Sequence, residues 1–162
     1  MTPTTAMTAG GVLSAEAASL GSRVHEIRGL IRALPDLTEE DVVDALARLR
    51  PFINYLAAHG PAEEHILYPY AASVSGTGLT SLRRDHMRLE ELATAIAAWT
   101  SAMGRAKLAL LLTAFCDTAE AHLALEAERC FSVVHKHSSA RSERYLYGEL
   151  EIETFETARG AT

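Results

Sequence analysis

The sequence predicts an all-α fold, an antiparallel four-helix bundle followed by a short C-terminal helix. Three observations carry that prediction. Apolar residues recur every three or four positions in four successive segments. Short stretches marked by Pro, Gly and Ser separate these segments, and short connections favour antiparallel neighbours. No segment alternates apolar and polar residues as a half-buried strand would.

Residues 1–12, rich in Thr, Ala and Gly, read as a flexible tail. The first helix is expected from Ser14 to Leu34, with Leu20, Val24, Ile27, Ile31 and Leu34 at helical spacing and Pro35-Asp36 as its stop. The second starts at the capping-box-like Thr38-Glu39-Glu40-Asp41, and its seam is Val42, Leu46, Leu49, Ile53 and Leu56. Pro51 and Pro61 predict kinks or an unwound turn, with an end near Pro69. Ser73 to Gly78 reads as a loop. A third helix follows from Leu79 to Trp99, then a turn at Ser101–Gly104 and a fourth helix from Arg105 to His135. Ser142 to Thr157, with a weak apolar face of Leu146, Leu150 and Ile152, reads as the short last helix. The bundle domain is therefore expected over residues 13–138, and a C-terminal helix and tail over 139–162.

Composition narrows the classes. With 162 residues the chain can build one domain with a sizeable core. A formal net charge of -6 does not favour nucleic acid or an anionic membrane as partner. Cys116 and Cys130 form neither a disulfide framework nor a CxxC motif, so reduced thiols and a cytoplasmic location are expected. The start lacks the basic and apolar regions of a signal peptide, and no run of apolar residues is long enough to predict a membrane span.

Three His-x-x-x-Glu pairs carry the chemistry: His59/Glu63, His86/Glu90 and His122/Glu126, one on each of three expected helices. At i and i+4 both side chains share a helical face, and imidazole and carboxylate both ligate iron, zinc or manganese. A single pair would mean only an ion pair on a solvated face. Seven histidines would not by chance form three such pairs, one per helix. His25, between Val24 and Ile27, gives the first helix a histidine beside its apolar stripe.

These residues resemble the hemerythrin-like, or HHE cation-binding, domains over about Leu20 to Val134. The matching stretches are HEIRGLI from His25, HGPAEEHILYP from His59, LRRDHMRLEEL around His86 and FCDTAEAHLALEAE around His122. The resemblance implies a carboxylate-bridged centre of two iron ions, for which manganese or zinc could substitute. It makes His25, His59, His86 and His122 terminal ligands and Glu63 and Glu126 bridging carboxylates. Oxygen carriers of the family have a histidine where this chain has Glu90. That departure argues against simple oxygen carriage and makes Glu90 a candidate third carboxylate ligand.

Other residues are placed relative to these. Gly21 and Gly29 flank His25 at four residues on either side, and Thr118 and Ala119 precede His122, so a small-residue lining with space above the metals is expected. Tyr55, Arg28 and Arg83 are candidates for a supporting role around the ligands, as hydrogen-bond donors or carboxylate partners. His65 is expected to face elsewhere, and His135 and His137 to lie near a helix end. The implied function is a non-haem diiron protein reacting with dioxygen or peroxide, an oxidoreductase acting on a small molecule, with any electron donor external. The alternative is a protein that binds or senses oxygen, nitric oxide or iron without turnover. Oligomeric state is left open.

Overall fold

The computed structural model describes residues 11–76 and 78–160, so the expected N-terminal tail lies almost entirely outside the described residues. All regular structure among them is helical. The order is α1 (Gly11–Ala33), α2 (Glu39–Ser75), α3 (Thr80–Ala97), a 3₁₀ turn at Ser101–Met103, and α4 (Arg105–Glu126). A π-turn (Ala127–Phe131), α5 (Ser132–His137) and α6 (Ala140–Gly160) complete it.

The helix starts follow local chemistry. Thr38 caps α2: its hydroxyl accepts the Asp41 amide at 3.1 Å, and the Asp41 carboxylate accepts the Thr38 amide at 3.2 Å. Against the expected unwound turn and end near Pro69, α2 stays helical through Pro51, Pro61 and Pro69 and stops only at Gly76, whose φ of 66° permits the left-handed cap. Each proline removes one backbone hydrogen bond, but Leu67, Tyr68 and Ala71 bury the distal half of α2 and offset that loss.

The expected single fourth helix is interrupted by the π-turn immediately after Glu126. The last helix is longer than expected, 21 residues, and it packs against both α2 and α1. Its anchor is Glu143, buried at the N-terminus of α1, where it accepts the Leu13 amide at 3.4 Å and pairs with His135 Nδ1 at 2.9 Å. An acid there meets the positive end of the helix dipole. Gly11, at φ 68°, makes room for it: a Cβ would stand 2.0 Å from Glu143 Oε1.

Two apolar clusters fill the interior. One gathers Leu20, Val24, Ile27, Ile53, Leu56, Leu89, Ile96, Leu112 and Phe115, and the other Leu13, Leu67, Leu82, Phe131, Val134 and Leu150. Between them every one of α1 to α4 carries a buried polar residue. Glu16 separates Leu13 from Leu20, His59 and Glu63 separate Leu56 from Leu67, His86 separates Leu82 from Leu89, and His122 and Glu126 separate Ala119 from Cys130. The order of clusters reverses from helix to helix, so α1 to α4 alternate in direction. The polar residues form one layer across the middle.

The α4–α5 rod, Arg105–His137, is long and apolar enough by length and composition alone to cross a membrane. Part of that apolarity faces the interior here, through Leu108, Leu112, Phe115 and Ala119.

Candidate metal centre

The layer brings Glu63, His86, His122 and Glu126 together, with one donor atom from each within 4.8 Å of the others, and this buried group could hold a metal ion. His86 Nε2 lies 3.2 Å from both Glu63 Oε2 and His122 Nε2, and His122 Nε2 lies 3.5 Å from Glu126 Oε2. His59 adjoins the group, its Nε2 2.9 Å from Glu63 Oε1.

Helix α1 contributes Glu16, not His25. Glu16 Oε1 stands 3.8 Å from His59 Nε2, whereas His25 is exposed on the outer face of α1. The reason is angular: a residue beside Val24 is turned roughly 100° from the stripe, while Glu16 lies on it between Leu13 and Leu20. Glu90 also fails to join. The buried stripe of α3 steps from His86 to Leu89, and Glu90 is left exposed on a surface groove of about 330 Å³ with Asn54, Pro61 and Thr94. Gly21 and Gly29 follow His25 away from the layer, and Gly29 lines an outer groove beside Arg23 and Arg48. They leave no space above the centre. Ala119 is buried in the apolar cluster.

His59 and His86 each have an outer hydrogen-bond partner, whereas His122 has only a more distant carboxylate. The Thr154 hydroxyl donates to the Leu150 carbonyl at 2.8 Å, so toward His59 Nδ1, at 3.2 Å, it accepts. That keeps a proton on Nδ1 and turns Nε2 into the layer. Glu64 does the same for His86, accepting from Nδ1 at 2.8 Å, and Asp85 stands 3.9 Å from His122 Nδ1. Such partners orient imidazoles toward a metal. Gly60 permits the fit: a Cβ there would lie 2.5 Å from His86 Cγ.

The supporting candidates divide. Tyr55 stacks on His59 with ring centroids 5.6 Å apart and donates to Glu16 Oε1 at 3.4 Å. Arg83 meets Glu64 at 3.4 Å and so touches the centre only through the partner of His86. Arg28 joins α1 to α4 on the surface through Glu120 and Asp117. His65 pairs with Glu153 at 2.8 Å on the exterior, and His135 is engaged by Glu143. Both cysteines are free and buried.

Tyr68, Glu16, Glu64 and Thr154 carry no His-x-x-x-Glu signature. Glu16 is signalled only as a lone acid on an apolar stripe, and Tyr68 only as the aromatic within the HGPAEEHILYP stretch. Tyr68 is fully buried. Its hydroxyl donates to Glu126 Oε1 at 2.9 Å and lies 3.1 Å from His86 Nε2.

Electrostatically the layer couples its buried acids to its imidazoles. Burial lifts the Glu16 carboxyl to about 7, against the His59 charge that pulls it down. Burial also works against charged imidazoles, but Glu63 and Glu16 outweigh it at His59 and raise it to about 9. At His122, Glu126 and Glu63 overcome burial and raise it to about 10. Burial, then Glu63, pushes Glu126 up; Glu63 itself is held well below the carboxylate range because His59, His122 and His86 outweigh its burial. Burial beside these carboxylates raises the Tyr68 phenol far above its ordinary value.

Glu16 Oε2, His59 Nε2, both oxygens of Glu63, His122 Nδ1 and Glu126 Oε2 are buried without a well-directed hydrogen bond, although His59 Nε2 and Glu63 Oε1 stand close enough to pair as ions. Such an atom costs about 1–3 kcal/mol, more when charged. A cation among these donors would satisfy most of them at once, so the donor set fits a metal. Comparison with family models, curated proteins and solved structures gives no match to this chain.

Proposed function

We propose that the chain is a hemerythrin-like four-helix bundle, walled on one side by α6, that holds two iron ions and reacts with dioxygen or peroxide as an oxidoreductase. The observation that carries this reading is the layer of six buried acids and imidazoles with orphaned donor atoms facing one another. His86 and His122 would hold one ion and His59 and Glu16 the other, with Glu63 and Glu126 between them. When bound, the two irons would supply one-electron redox steps and an open position for an oxygen species. The protein holds the donors rigid through Thr154 and Glu64, keeps water away with an apolar cluster on either side, and leaves the source of electrons outside the chain.

A second reading is a protein that binds or senses dioxygen or nitric oxide, or holds iron, without turnover. Closure of the centre favours it. Every donor of the layer is buried, so a diatomic reaches the centre more readily than an organic substrate.

The test begins with anaerobic iron loading and metal analysis of wild type, Glu63→Ala, Glu16→Ala and His25→Ala. Two irons per chain are expected in wild type and His25→Ala, with iron lost from the other two. Oxygen uptake then separates the readings: repeated consumption with an added reductant marks an oxidoreductase, and one uptake reversed by degassing marks a binder. Wild-type protein from iron-replete cells without stoichiometric metal would end both.

A further inference from the structure

Tyr68, neither an acid nor an imidazole, sets its hydroxyl within hydrogen-bond distance of two members of the donor group. Donors sharing one ion at about 2.0–2.2 Å stand roughly 3–3.5 Å from one another. The contacts of His86 Nε2 with Glu63 and His122, both 3.2 Å, and of His122 Nε2 with Glu126, 3.5 Å, have that spacing. The Tyr68 oxygen has it too, at 3.1 Å from His86 Nε2 and 2.9 Å from Glu126 Oε1. Two independent elements fix it there. Its ring stacks on His86, centroids 5.5 Å apart, and its backbone lies in the distal half of α2 packed between Leu67 and Ala71. A phenol kept only for packing has no need to aim its oxygen at two converging donors.

We propose that Tyr68 is a further metal ligand, so that the ion held by His86, His122 and the carboxylates is also bound by a phenolate. This rests on the metal reading above. The bond change is simple: the phenol O–H breaks as the oxygen joins the ion, Glu126 Oε1 is the nearest acceptor for the proton, and the proton leaves to solvent. No electron moves. Phenolate is a hard, strongly donating ligand, so it favours ferric over ferrous ion.

The probe is ferric iron, reached by loading ferrous ion anaerobically and admitting air. A ferric–phenolate bond has a visible charge-transfer absorption and resonance-enhanced ring vibrations that carboxylate and imidazole ligands lack. Wild type is expected to show both, with ring modes that shift when the protein is made with ring-deuterated tyrosine. Tyr68→Phe, which removes only the oxygen, is expected to lose the absorption, and Tyr55→Phe to keep it. Iron content and far-UV circular dichroism are measured on each sample. Wild type with stoichiometric iron and no such band overturns the proposal, as does a band that survives in Tyr68→Phe or disappears only in Tyr55→Phe. Should Tyr68→Phe fail to hold iron, the deuterium shift in wild type together with the band of Tyr55→Phe decides instead. Wild type that takes up no iron overturns the metal reading itself, and this proposal with it.

Discussion

A single methyl group at position 60 would meet the His86 ring at 2.5 Å, inside a layer with no slack on the far side, where His122 stands 3.2 Å away. Gly60→Ala is therefore expected to destabilise the protein by about 1–3 kcal/mol through overpacking. It should also lower metal retention more than its stability loss explains, a contrast read by pairing thermal melts with metal analysis. Protons give a second residue-scale prediction. His59 and His122 are raised from 6.5 to about 9 and about 10 in the metal-free protein, so at pH 7 both carry their protons. An ion taken by Nε2 must displace them, and affinity should fall as pH falls. Titrations in buffers of different ionisation enthalpy should register that proton release. Without metal the sign reverses: the imidazolium contribution to stability is complete below 6.5 and fades as pH climbs through 9 to 10.

At the scale of elements, the stripes on α1 to α4 and the i,i+4 spacing were legible, because both depend only on the 3.6-residue turn. That spacing suffices for His59, Glu63, His86, His122 and Glu126. It fails for His25, turned out of the stripe beside Val24, and for Glu90, where the stripe steps three residues to Leu89 instead of four. Glu16 shares the apolar stripe of α1 but has no i,i+4 partner to mark it, and Tyr68 and Thr154 reach the layer by tertiary packing, which no single helix encodes. The role of α6 was illegible for the same reason: its apolar face is weak, and Glu143 and Thr154 fix it by polar contacts. Glu143→Gln is expected to cost about 1–3 kcal/mol, since the Leu13 amide and the His135 imidazole lose a charged acceptor. Hydrogen exchange should localise the loosening to the first turn of α1 and the start of α6.

For the whole molecule, the polar layer divides one interior into two apolar clusters joined across opposed carboxylates. A ligand that binds only the folded state at about 100 times its Kd adds about 2.7 kcal/mol, which for a chain of this size is about 5–10 °C in Tm. Melting with and without a chelator measures it, and an unchanged Tm with metal bound would mean that the unfolded chain binds the ion as well. The contact between Glu143 and the start of α1 has a consequence in time. A chain made from its N-terminus completes α1 first, yet the carboxylate that fastens the first turn of α1 is 130 residues downstream in α6. Glu16 sits in the turn after Leu13, so its place in the layer is secured only once the last helix has been synthesised and docked. Nascent chains arrested before Ala140 should then expose the α1 amides around Leu13 while the amides of α3 and α4 are already protected.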